Sequence, residues 1–318
     1  MPASAHVPAV RTRRPATVIS TARVSHRYGR TRVLHEVNLD VPDGATCALL
    51  GANGAGKTTL LRLLAGIDAV QEGRVALFGT DVDELTMRQR QQVAYVAEGQ
   101  ELPGWMTVAQ LESYCAPLYP TWDGALATRL RERFALDNTQ RISRLSRGQR
   151  MQASLLCALA ARPRVLLMDE PFTGLDVAVK DALVGGLLDA SADAACTTLV
   201  CTHDIGEIES LVDHVAFLRD QGIAVSGSLE ALQERWQRVE ATLPPVQAAE
   251  PWPISWTHVE YAGRRLAAVV DRRAPQHESE HTLSRCTDVQ WRALSLRELY
   301  LTFGATTGSR ASARERAS

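Results

Sequence analysis

Gly51-Ala52-Asn53-Gly54-Ala55-Gly56-Lys57-Thr58-Thr59 fits the spacing G-x-x-x-x-G-K-[ST], whose chemistry is the holding of a polyphosphate. The glycines let consecutive backbone N–H groups converge on an anion without a Cβ in the way. Lys57 is then expected to reach the β- and γ-phosphates of a nucleotide and the Thr58 hydroxyl to ligate Mg²⁺, so the residues point to ATP and Mg²⁺ together. Phosphoryl chemistry also needs a second acid for the metal and a group that orients water. Asp169 closes the apolar run Val165-Leu166-Leu167-Met168, where a metal-facing carboxylate belongs, and Glu170 follows it as a candidate general base.

These groups need rigid elements behind them. The run Cys47 to Leu50 reads as a buried strand and Leu60 to Ala65 as a helix, an order that aims the positive end of the helix at the bound anion. Ahead of them, Val18–Val24 and Val37–Val41 alternate in period two between turn signals at Tyr28-Gly29 and Pro42-Asp43-Gly44, which suits a small antiparallel sheet. Gly73–Gly79 and Val93–Val96 read as further strands, and Thr107 to about Ala161 carries helical spacing without strand candidates. Beyond Asp169 the pattern predicts a helix over Val177–Ala190, a strand over Thr197–Thr202, a short helix over Ile205–Leu211, a strand pair (His214–Arg219, Ile223–Ser226) and a helix from Leu229 to Trp236. Strands alternating with helices argue for a mostly parallel sheet covered on both faces.

The chain has 318 residues, 45% of them hydrophobic and 22% charged, with a net charge of -1. That balance fits a soluble globular protein of about two domains and argues against a nucleic-acid partner. No stretch approaches the roughly 18 apolar residues of a membrane span, and no apolar core follows Arg11, Arg13 and Arg14 to make a secretory signal. If the protein works at a membrane, another chain is expected to cross it. The six cysteines show no C-x-x-C spacing and read as reduced residues of a cytosolic protein.

With these residues in place, the sequence resembles the ATP-binding cassette ATPases of transporters. Leu145-Ser146-Arg147-Gly148-Gln149 looks like that family's L-S-G-G-Q signature, so Ser146, Gly148 and Gln149 are expected to face a nucleotide. The resemblance makes Tyr28 the adenine-stacking aromatic, Thr173-Gly174-Leu175-Asp176 the loop that communicates across a dimer, and His203 the switch histidine at the γ-phosphate. Arg147 departs from the signature's first glycine. Glu98 departs from the family's Mg²⁺-sensing glutamine, and is carried as a metal residue beside Thr58 and Asp169. The implied fold class is α/β: a P-loop NTPase core with an antiparallel β subdomain and a helical insertion (about 100–162), plus a small α+β C-terminal extension.

The expected division is a disordered tail (1–15), an ATPase domain (16–236), a small C-terminal domain (237–305) and a second tail (306–318). The resemblance covers about Thr17 to Trp236 and implies an ATP-hydrolysing subunit, of export type by its Glu98 and its extension. It would pair with a second cassette, identical or different, and power a separate transmembrane permease from the cytoplasmic face of the membrane. An importer subunit and a non-transport cassette ATPase acting in translation or DNA maintenance are the alternatives.

Four of the six tryptophans (Trp236, Trp252, Trp256, Trp291) fall in the last quarter and suggest a core of its own, closed by a helix over Ser295–Phe303. Strand-like pieces there are Val259–Tyr261 and Arg265–Val270. His277 and His281 stand four apart, a zinc-compatible spacing, but their polar surroundings after Pro275 read as a solvated loop. Arg129, Arg131 and Arg133 read as an exposed helix face. Trp105 and Trp122 flank the helical stretch as core residues or as part of a contact with the membrane subunit.

Overall fold

The computed structural model describes residues 16–193, 196–203, 205–206, 208–245 and 252–304. The two expected tails, 1–15 and 306–318, lie outside the described residues. The chain begins with strands β1 (Thr17–Tyr28), β2 (Thr31–Pro42) and β3 (Thr46–Leu50), then helix α1 (Lys57–Leu64). Next come β4 (Glu72–Leu77), β5 (Thr80–Asp81), α2 (Met87–Arg90) and β6 (Val93–Ala97). The helical stretch is α3 (Val108–Cys115), α4 (Gly124–Arg133) and α5 (Arg147–Ala160). After it run β7 (Val165–Asp169), α6 (Val177–Asp193), β8 (Thr197–Thr202), β9 (His214–Arg219), β10 (Gly222–Ser228) and α7 (Leu229–Arg235). The remainder is β11 (Trp236–Thr242), β12 (Trp256–Ala262), β13 (Arg265–Asp271), α8 (His277–Leu283), β14 (Thr287–Ala293) and α9 (Leu296–Phe303).

The central sheet has the order β10-β9-β3-β8-β7-β6, parallel except for the antiparallel β10–β9 edge. Its inner strands are buried on both faces, which is why β3, β7 and β9 carry continuous apolar runs, while β8 buries three threonines around Leu199-Val200-Cys201. Alternate residues enter different cores. Ala48, Leu50, Leu166 and Met168 pack toward the helical stretch, while Cys47, Leu49, Val165 and Leu167 pack toward α1 and the antiparallel sheet β2-β1-β4-β5. A third sheet, β12-β13-β11-β14, is antiparallel throughout and covers a small core of Val239, Leu243, Trp256, Leu266, Ala268 and Val270.

Several local expectations are corrected. Among the described residues between Ile205 and Leu211 the backbone forms turns instead of a helix, with Ile208 N–H closing back on Ile205 O at 3.2 Å in an i→i−3 turn. Residues 277–283 form α8 instead of a loop. Glu278 and Glu280 in its first turn suit the helix dipole, and its buried contact is polar: Trp256 Nε1 donates to Ser279 Oγ at 2.8 Å. The tryptophans divide. Trp252 stacks on Trp256 at 5.8 Å, Trp236 joins the larger core beside Phe303, and Trp291 stays partly exposed under Arg272. Arg131 and Arg133 do not form a bare exposed face, since Arg131 pairs with Glu112 at 2.9 Å and Arg133 with Asp189 at 2.8 Å. All six cysteines are free.

Candidate nucleotide site

Four of the segments singled out by their chemistry leave the same edge of the central sheet. In the parallel register Leu50 pairs with Thr202, Asp169 with Cys201 and Ala97 with Asp169. The glycine loop after β3, Glu98 after β6, Asp169 and Glu170 at the end of β7 and His203 after β8 are therefore neighbours by topology. The carboxyl edge of an open parallel sheet is where such folds bind ligands.

The glycine loop is shaped by backbone needs. Gly56 caps α1 in the left-handed region at φ 107, and a Cβ there would lie 2.7 Å from Leu34 Cδ2. Gly51 admits no Cβ because Leu218 O occupies the space. Asn53 and Gly54 are exposed, Thr58 is exposed, and Lys57 and Thr59 are buried. Lys57 Nζ donates to Gly51 O at 2.8 Å and Ala52 O at 3.3 Å, and lies 3.5 Å from Glu170 Oε1. The lysine thus caps carbonyls of its own loop, contacts that an anion in the loop would replace.

Glu170 is the hub. Its Oε2 accepts from Thr173 Oγ1 at 3.0 Å and meets His203 Nδ1 at 2.9 Å. Its backbone has φ 48, rare for a side-chain-bearing residue, and is held by its N–H to Cys201 O at 2.9 Å. Asp169 is buried, and its Oδ1 has no hydrogen-bond partner among the described residues. Burial pushes the Asp169 carboxyl up, and hydrogen bonding from Thr58 opposes that shift. A buried carboxylate oxygen without a partner, beside an exposed hydroxyl, is a donor set that fits a divalent cation; Thr58 and Asp169 would hold it.

Glu98 is placed differently from the metal expectation. Its backbone N–H reaches Asp169 O at 2.9 Å, but its carboxylate is engaged by Arg147. Ser146 caps α5 in a reciprocal box with Gln149, at 3.1 Å and 2.9 Å. Ser146 is exposed, Gly148 buried and Gln149 half-buried. The side-chain bonds of α5's first turn run to Glu98 and within the turn, not to the glycine loop. Tyr28 is half exposed and donates its hydroxyl to Asp68 Oδ2 at 2.9 Å, and Asp68 accepts two bonds from Arg62, each 2.8 Å. The sequence reading missed Arg62 and Asp68 as supports, because Asp68 meets Tyr28 from 40 positions away, and it missed the hydroxyl of Thr173, whose bond to Glu170 three positions back depends on the turn between them.

Residues 34–173 match the family model described as ABC transporter. Over 214 residues, 64% of this chain, the sequence is 34% identical to the sulfate/thiosulfate import ATP-binding protein CysA of Salmonella typhi, covering 58% of that protein. Over 225 residues, 68% of this chain, it is 35% identical to the protein of the same name from Burkholderia mallei, covering 64% of it. The chain thus spans about three fifths of the length of these curated relatives. Among solved structures, it resembles an ATP-binding subunit of an ABC transporter at 25% identity and TM-score 0.62, over 69% of this chain and 92% of the other. It also shares its fold with a bacterial Atm1-family ABC exporter with ATP bound (23% identity, TM-score 0.60, 72% and 42% of the two chains). A bacterial ABC transporter cassette solved as a dimer shares it too (22%, TM-score 0.58, 66% and 98%).

Proposed function

Residues 34–173 belong to the ABC transporter family, and from that premise we propose that this chain is the ATP-binding and hydrolysing subunit of a transporter. It would drive a separate membrane-spanning chain from the cytoplasmic side. No helix among the described residues is long and apolar enough to cross a membrane. The observation that carries the reading is the convergence of Lys57, Glu170, Thr173 and His203 within hydrogen-bonding or ion-pair distance.

On ATP binding, Lys57 exchanges the carbonyls of Gly51 and Ala52 for phosphate oxygens, and Asn53, Gly54, Ala55, Gly56 and Thr59 supply the surrounding loop. That move releases Glu170 Oε1. Glu170, still oriented by Thr173 and His203, then accepts a proton from the attacking water as general base. Mg²⁺ held by Thr58 and Asp169 would neutralise charge developing on the phosphates. Tyr28 offers its exposed ring to the base.

Import has as much support as the expected export. The curated relatives named above are import proteins, whereas an exporter stands among the structural likenesses. Reconstitution with the co-purifying membrane chain in vesicles decides the direction by the side on which substrate accumulates. For hydrolysis itself, Glu170→Gln should lower kcat by about 100-fold or more while ATP affinity stays within about threefold of wild type. Wild-type turnover in that variant would remove Glu170 from the role.

A further inference from the structure

We propose that Arg147 is a positioning residue for Glu170, acting as a strap between the loop after β6 and the turn after β7. The inference rests on the reading of Glu170 as the base. Its starting point is that the two departures from the family pattern, Arg147 and Glu98, meet each other: the Arg147 guanidinium pairs with the Glu98 carboxylate across 49 positions of sequence.

The strap has two ends. At one, Glu98 is fixed by its own N–H to Asp169 O at 2.9 Å, so the partner of Arg147 is anchored to the strand that carries the acids. At the other, the guanidinium covers Gly174, where an added Cβ would lie 3.0 Å from Nη1 and 3.3 Å from Cζ. Thr173, the neighbour of Gly174, donates the 3.0 Å hydrogen bond that orients Glu170. A second tie, Ser154 Oγ to Gln100 Oε1 at 3.2 Å, joins the same loop to the same face of the helix about two turns further along. The start of α5, the loop 98–100 and the turn 173–174 are therefore joined, with Arg147 touching both loops.

The pair is also built to let go. The side chains are 51% and 40% exposed, so the attraction is screened and modest. The carboxylate of Glu98, used by Arg147, is assigned to the strap and not to the metal.

Steady-state Mg-ATP hydrolysis by the full chain tests this in Arg147→Ala, Glu98→Gln and the double variant. Each single change should lower kcat by about fivefold, the rate equivalent of the most that an exposed ion pair contributes, with KM for ATP within about twofold. The double variant should be no worse than the worse single one, because both changes cut the same strap. Arg147→Lys keeps the charge but uncovers Gly174, and should lose less than Arg147→Ala. Wild-type kcat in Arg147→Ala, or a double variant down by the product of the single losses, overturns the proposal. So does a Glu98→Gln variant that only requires more Mg²⁺ for half-maximal turnover. Glu170→Gln run in parallel separates the two ideas: if it turns over like wild type, the base assignment has failed, whatever the strap variants do.

Discussion

Tyr28 owes its position to residues outside the phosphate-loop pattern. Its hydroxyl donates to Asp68, which Arg62 grips with two nitrogens from the end of α1, the helix that begins with Lys57. The aromatic and the phosphate loop are therefore tied to the same helix. The Arg62 hydrogen bond is the main cause that holds the Asp68 carboxyl at about 2, with Tyr28 adding to it and burial opposing. Because the folded value lies below the ordinary carboxylate value, this contribution is present in full above about pH 4 and is lost as pH falls toward 2. Arg62 is 40% exposed, so solvent screening limits the contribution to about 1 kcal/mol. Urea unfolding should find Asp68→Asn less stable by about that amount at pH 7, and the gap between variant and wild type should narrow below pH 4. An undiminished gap at pH 3 would remove the charge as its origin.

The elements that hold the site were those most legible in the sequence. β3 and β7 are buried on both faces, so burial writes an apolar run directly into the chain, and the residue after each run, Gly51 or Asp169, belongs to the site; β8 mixes buried threonines with its apolar residues and is followed by His203. The C-terminal part was harder. All seven residues of β14 are exposed, so the alternation of Val289, Trp291 and Ala293 with polar neighbours marks no buried face, and α8 hides its buried contact in a serine. The boundary expected after Trp236 followed the end of the helix over Leu229–Trp236 and of the family resemblance, signals that do not report packing at long range. In space, Phe303 of α9 lies 4.8 Å from the Trp236 ring and 6.1 Å from the Phe217 ring of β9, and Leu294, Leu296 and Leu299 enter the same core as the helical stretch. We propose that the extension is fused to the cassette and not an independent unit. Phe303→Ala should then cost about 3 kcal/mol in the main unfolding transition, read by circular dichroism in urea. Loss confined to a separate early transition would restore the independent domain.

One chain does not enclose a nucleotide by itself. The glycine loop, Asp169 and Glu170 line one wall, whereas at the start of α5 Ser146 bonds reciprocally with Gln149 and Arg147 pairs with Glu98 of the loop after β6, with no side-chain bond to the glycine loop among those described. A helix N-terminus with its serine exposed is suited to an anion, and with no phosphate supplied in cis the remaining source is a second cassette placed head to tail. We propose that ATP then acts as the joint between the two copies and that hydrolysis removes the joint. Pairing should depend on nucleotide that is bound and not consumed. In gel filtration with light scattering, Glu170→Gln should run as a monomer alone and at twice that mass with ATP, while Ser146→Ala placed in the same background should weaken the shift. ADP should not support it. A dimer of equal stability with and without ATP would mean that the copies are held by another surface, and the cycle of clamping and release would have to be driven elsewhere in the chain.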